Sequence, residues 1–121
     1  MTQESKTTTS TIRLIVSDVD HTLLNSDQRL TERTEQTLRA ALDKGVRMML
    51  ATGKTFTSAS YLVQRLGLNT PTIAAQGTVV FNTDGSVRHQ LMLAPAITRQ
   101  IFSFSGDRGF WVVAYSGDRL L

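Results

Sequence analysis

The chain has 121 residues, 40% hydrophobic and 19% charged, which suits one soluble domain with a modest core. It has no Cys, so disulfide staples, thiolate zinc sites and a cysteine nucleophile are excluded, and a reducing compartment is compatible with it. The net charge of +3 comes from scattered Lys and Arg, without the basic stripe or aromatic platform of a nucleic-acid binder; it predicts a solvated surface with a slight pull on anionic substrates.

Residues 1–11 are rich in Ser and Thr and lack the apolar stretch of a signal peptide. They are expected to be a disordered tail. No apolar run is long enough to span a bilayer, so the expected setting is cytoplasmic, without a membrane partner. Ile12 to Val16 is a short apolar run that predicts a buried parallel strand ending at Ser17-Asp18. Asn25 to Leu30 suits a loop. Thr31 can cap a helix from Glu32, with Glu32 and Glu35 at the positive end of its dipole. Leu38, Ala41 and Leu42 share one face, and Lys44-Gly45 supply a stop.

Val46 to Ala51 predicts a second strand. Thr55 to Leu66 predicts a second helix with Ala59, Leu62, Val63 and Leu66 inward and Gly67 ending it. Thr72 to Ala75 predicts a third strand. Strand, helix, strand, helix, strand argues for a doubly wound α/β sheet. Beyond Gly77 the pattern changes. Val79 to Phe81 and Val87 to Leu93 flank Asn82-Thr83-Asp84-Gly85, a hairpin signal. Ala96 to Phe104 predicts a helix opened by Pro95. Phe110 to Tyr115 predicts a strand, with Phe110 and Trp111 packed in it, and Ser116-Gly117-Asp118 a turn.

Ligands of open α/β sheets bind beyond the carboxyl ends of the strands. Two groups fall there: Asp18-Val19-Asp20-His21-Thr22 after the first strand and Thr52-Gly53-Lys54 after the second. Two close carboxylates repel unless a cation neutralises them, and an oxygen-rich pair suits Mg²⁺. One carboxylate can attack phosphorus while the other transfers protons. The Thr52 hydroxyl and the Gly53 N–H suit phosphate oxygens. Gly53-Lys54-Thr55 is no P-loop, because Met48 stands where that motif needs its first Gly. His21 and His89 are read as structural or solvent-facing, and Met48, Met49 and Leu50 as strand core.

Asp18-Val19-Asp20-His21-Thr22-Leu23-Leu24 resembles the first motif, DxDxT, of the haloacid dehalogenase superfamily, and Leu50-Ala51-Thr52-Gly53-Lys54 resembles its second. The Ala-Thr-Gly-basic pattern and Ala75-Gln76-Gly77-Thr78-Val79-Val80 resemble its Cof-like sugar-phosphatase branch with a type IIB cap. The resemblance covers the chain from Ile12 onward. It implies a doubly wound, Rossmann-like core, incomplete here, over residues 12–78, and the start of an α+β cap over 79–121. It implies an Mg²⁺-dependent phosphatase acting on a small phosphorylated metabolite through an aspartyl-phosphate. Asp18 would be nucleophile and metal ligand. Asp20 would be general acid/base and offer its backbone carbonyl to the metal. Thr52, Gly53 and Lys54 would meet the phosphoryl group, and Thr22 would shape the loop.

The chain departs from that pattern at His21, where Gly is common, at Lys54, where Arg is usual, and at Gln76, where Asn is usual. The third-motif Lys and the fourth-motif acids have no counterpart in these 121 residues; Gly117-Asp118 has no second acid after it and reads as a turn. A phosphomutase or phosphotransferase of the same superfamily and a noncatalytic fragment are the alternatives. An unfinished sheet would also expose an edge prone to self-association.

Overall fold

The computed structural model describes residues 11–121, so the tail expected to be disordered lies, at residues 1–10, outside the described residues. β1 (Leu14–Ser17) and β2 (Arg47–Leu50) pair in parallel, from Leu14 opposite Arg47 to Ser17 opposite Leu50. Ala51, just past β2, makes one parallel bridge to Ile73 of β3 (Thr72–Ala74). Thr52 N–H donates to the Ile73 carbonyl at 2.9 Å. The three strands predicted for a parallel sheet are thus side by side, and the α/β class stands.

The connections are α1 (Glu32–Asp43) and α2 (Phe56–Leu66). Both begin where capping residues stand. The Thr31 hydroxyl accepts from Thr34 N–H and the Thr55 hydroxyl from Ser58 N–H, each an interaction of about 1 kcal/mol. Gly67 ends α2 at φ +63°, a left-handed conformation that costs glycine nothing. Two crossovers of one hand, stepping the same way along the sheet, put both helices on one face. There Met48 and Leu50 of β2 meet Leu62, Val63 and Leu66 of α2, Leu38 and Leu42 of α1, and Val19, Leu23, Leu24 and Leu30 of the first loop. Each fully buried Leu in this cluster contributes about 1.5–3 kcal/mol.

The two helices are also tied by charge. The Glu35 carboxylate takes Arg39 at 2.8 Å on one oxygen and Arg65 at 2.5 Å on the other. Arg39 also donates to the Arg65 carbonyl. The Arg65 and Arg39 guanidinium groups hold the Glu35 carboxyl below the usual carboxylate range.

The hairpin of β4 (Val79–Phe81) and β5 (Val87–Gln90) adds to β3 antiparallel, in the order β3-β4-β5. The expected division at residues 78 and 79 therefore falls between hydrogen-bonded strands. Gly85 turns the hairpin at φ +84°, and the Asp84 carboxyl is lowered by hydrogen bonds from the Ser86 hydroxyl and N–H. Phe56 of α2 stacks on Phe81 with ring centres 5.0 Å apart, in a small second core with Ala74, Ala75 and Val79.

α3 (Pro95–Arg108) starts at Pro95 as predicted but runs past Phe104 to Gly109, which ends it at φ +68°. The strand predicted over Phe110–Tyr115 does not form. Only Tyr115–Ser116 (β6) is extended in a ladder, paired with Arg119–Leu120 (β7) across the Gly117-Asp118 turn. Residues 110–113 have the composition of a strand but no neighbouring strand among the described residues, and backbone pairing is what makes a strand. Trp111, expected to be packed, is 99% exposed, and Phe110 is largely exposed beside Phe104.

The other face of the core sheet is bare: Leu14 and Val16 are 46% and 52% exposed, and β1 has one edge unpaired among the described residues. An apolar face beside an open edge favours strand-to-strand association. The chain is expected to self-associate in sedimentation, with Val16→Lys shifting it toward monomer; a wild-type monomer at all concentrations would contradict this. Because Glu35 is held low, its ion pairs support the fold at neutral pH and are lost as pH falls through that lowered value. Stability of Glu35→Gln, followed by urea unfolding, should lack this component of the acid-side decline.

Candidate active site

Ser17 opposes Leu50, so the chain leaves β1 and β2 at the same sheet edge. That register brings the Asp18 loop and the Thr52 loop together. Asp18 follows β1 in an extended conformation at φ −66°, ψ 163°, and the next residues wind into a tight turn. Leu24 N–H closes the turn on the Val19 carbonyl at 2.9 Å, while buried Val19, Leu23 and Leu24 pin it to the core. Within it Asp20 is extended and His21 is left-handed at φ +57°. A left-handed residue there explains why glycine would be favoured; a non-glycine side chain costs about 1–2 kcal/mol. The Thr22 hydroxyl donates to Asp18 Oδ2 at 3.1 Å.

On the second loop Thr52 is buried, and its hydroxyl accepts from Lys54 N–H at 3.1 Å. Lys54 then reaches across, its Nζ lying 3.1 Å from Asp20 Oδ1. The ammonium sits off the hydrogen-bonding direction, so this occluded oxygen is close to a positive charge yet accepts no hydrogen bond. The pair is about one-third exposed on each side, and its direct contribution to stability is at most about 1 kcal/mol. Its geometric effect is larger, since it joins the two loops.

The Lys54 carbonyl accepts from Ala75 N–H at 2.8 Å, which fastens the loop to the end of β3. Ala75 and Gln76 are both left-handed, at φ +48° and +58°. This explains why Asn would suit the Gln76 position, since Asn tolerates that region best among non-glycine residues. The Gln76 side-chain amide lies against the Gly53 Cα, where a Cβ would stand. Glycine at 53 therefore leaves room for Gln76, although an exposed Gln could swing aside. Three of the four described left-handed non-glycine residues, His21, Ala75 and Gln76, border this site. Backbone strain of this kind clusters at functional loops.

All five residues singled out from sequence, Asp18, Asp20, Thr52, Gly53 and Lys54, stand on these two loops. Sequence reasoning missed the ion pair between Asp20 and Lys54. It also missed two residues that reach the second loop from far along the chain: Tyr115, whose hydroxyl donates to the Gly53 carbonyl at 3.0 Å, and Asp118, which bonds the start of α2. Nothing in the local sequence signals a contact across sixty residues.

Asp18 and Asp20 give this loop hard oxygen donors of the kind a divalent cation takes, and because Asp20 Oδ1 faces the Lys54 ammonium, the Asp18 carboxylate and the Asp20 backbone carbonyl are the atoms that would meet it. Among the described residues no cluster of three or more His, Asp or Glu side chains converges. Neither is any described helix long and apolar enough to cross a membrane.

Known proteins share much of this chain's sequence and fold. The chain is 26% identical over 109 residues to the phosphatase YwpJ of Bacillus subtilis, covering 90% of this chain and 38% of that protein. It is 32% identical over 82 residues to the 5-amino-6-(5-phospho-D-ribitylamino)uracil phosphatase YcsE of the same species, covering 68% of this chain and 33% of that protein. The solved structure of a haloacid dehalogenase-like hydrolase from B. subtilis superposes with a TM-score of 0.77 at 26% identity, covering 89% of this chain and 38% of the other. The chain thus spans well under half the length of these relatives. The sequence profile of the haloacid dehalogenase-like hydrolases matches residues 15–121, and the chain belongs to that family.

Proposed function

We propose that this chain carries the nucleophile half of an Mg²⁺-dependent phosphatase that acts on a small phosphorylated metabolite in the cytoplasm. The observation that carries the reading is the meeting of two loops at one sheet edge. One bears a carboxylate pair. The other bears a buried hydroxyl and an ammonium, with Lys54 on Asp20 joining them. The phosphatase names of the relatives support the reaction class.

In this reading Asp18 attacks phosphorus. Thr22 holds Oδ2, which leaves Oδ1 as the attacking atom. As the bond from Asp18 to phosphorus forms, the bond from phosphorus to the leaving alcohol breaks, and Asp20 gives that oxygen a proton. Water then attacks the aspartyl-phosphate, Asp20 takes the water's proton, and phosphate and free Asp18 are released. Thr52 and Gly53 orient the phosphoryl oxygens, and Lys54 offsets their charge while keeping Asp20 in place. Asp18 and Asp20 would hold Mg²⁺, which supplies charge neutralisation of the transferring group.

The test is hydrolysis of an aryl phosphate with Mg²⁺. Turnover by this chain is expected to be poor or absent, because two site carboxylates and one site lysine do not make a full phosphoryl-transfer constellation. Asp20→Asn should slow any measurable turnover by about 10²–10⁴-fold, and Asp18→Asn should abolish it. Robust turnover that survives Asp18→Asn would rule out Asp18 as the nucleophile.

A further inference from the structure

The turn at Gly117-Asp118 does more than reverse the chain. The Asp118 carboxylate accepts from the N–H groups of Phe56 and Thr57, the latter at 2.8 Å, and from the Thr57 hydroxyl. These are donors of the first turn of α2, which have no partner inside the helix. The Thr55 hydroxyl satisfies Ser58 N–H, and Asp118 takes the two before it. A carboxylate there also meets the positive end of the helix dipole through charge-assisted bonds. From the same hairpin, the Tyr115 hydroxyl donates to the Gly53 carbonyl.

The two grips fall on either side of Lys54, the residue that reaches Asp20. Phe56 is meanwhile fixed from the side of β4 by its stack on Phe81. The segment from Thr52 to Thr57 is therefore held from three directions: by β3 through Thr52 and Lys54, by β4 through Phe56, and by the β6–β7 hairpin through Gly53, Phe56 and Thr57. The first two attachments come from the strands that directly follow α2. The third crosses sixty-one or sixty-two residues and rests on side chains of one small hairpin.

We infer that the β6–β7 hairpin is a docking element that fixes the Thr52–Thr57 segment, with Asp118 and Tyr115 as positioning residues of the candidate site. Neither side chain is assigned a place on the reacting atoms; they act through the loop that presents Thr52, Gly53 and Lys54. The consequence for phosphate rests on the phosphatase reading, whereas the docking itself does not.

The test uses the 121-residue chain in solution, with amide exchange and amide chemical shifts read residue by residue. Asp118→Ala should speed exchange at Phe56 and Thr57 by about tenfold or more, the scale of a lost charge-assisted bond. Asp118→Asn, which keeps an acceptor oxygen, should fall between. Leu62 and Val63 amides should stay unchanged, which separates loss of docking from loss of the fold. Inorganic phosphate with Mg²⁺ is then titrated and followed at Thr52 and Gly53. Its midpoint should rise severalfold in Asp118→Ala and in Tyr115→Phe, a readout that a merely structural hairpin would not move. Wild-type exchange at Phe56 and Thr57 in Asp118→Ala, or an unchanged midpoint in both variants, overturns the inference. If phosphate moves neither amide in the wild-type chain, the phosphatase reading fails, and the exchange result alone upholds or overturns the docking.

Discussion

The parallel register between β1 and β2 is the constraint from which the rest follows. Ser17 opposes Leu50 because Met48 and Leu50 must point at the helices, where they are essentially fully buried. Side chains alternate across a strand, so a one-residue slip would turn this pair to the bare face and put Arg47 and Met49 into the core. The same slip would carry the Thr52 loop away from Asp18. Core packing and site geometry are thus one choice: the burial of two apolar side chains sets where the Asp18 loop and the Thr52 loop meet.

Much of this was legible in the sequence because its causes are local. Thr31 and Thr55 cap the helices they were expected to cap, Gly67 and Gly85 turn where turns were expected, and Pro95 opens α3. The apolar faces of α1 and α2 follow helical spacing, and the inward set of Ala59, Leu62, Val63 and Leu66 is found as read. The two motif loops are placed by the strands before them. Phe110–Tyr115 shows the limit. Its residues favour an extended chain, but a ladder needs a partner, and a partner is not a property of the segment itself.

The site's finer features were illegible for a related reason. The link from Lys54 to Asp20 depends on two loops meeting, and the bonds from Asp118 to Phe56 and Thr57 depend on a hairpin folding back over sixty residues. Strain is similarly hidden. His21 and Gln76 are ordinary residues until the chain forces them left-handed, and only then does it become clear why Gly and Asn suit those positions. Stability elsewhere offsets these local costs: the buried leucines form the core, and the Glu35 clamp ties α1 to α2.

The central claim is that Asp18 is the nucleophile proposed to attack phosphorus, with Thr52 facing the same group. The most direct measurement is a crystal structure grown with Mg²⁺ and beryllium fluoride, which forms an acyl-phosphate mimic on a reactive carboxylate. The account predicts the fluoride adduct on an Asp18 oxygen, with the Thr52 hydroxyl and the Gly53 N–H within hydrogen-bonding distance of its fluorines. An adduct on Asp20, or bound fluoride that leaves both Asp18 and Thr52 untouched, would contradict it.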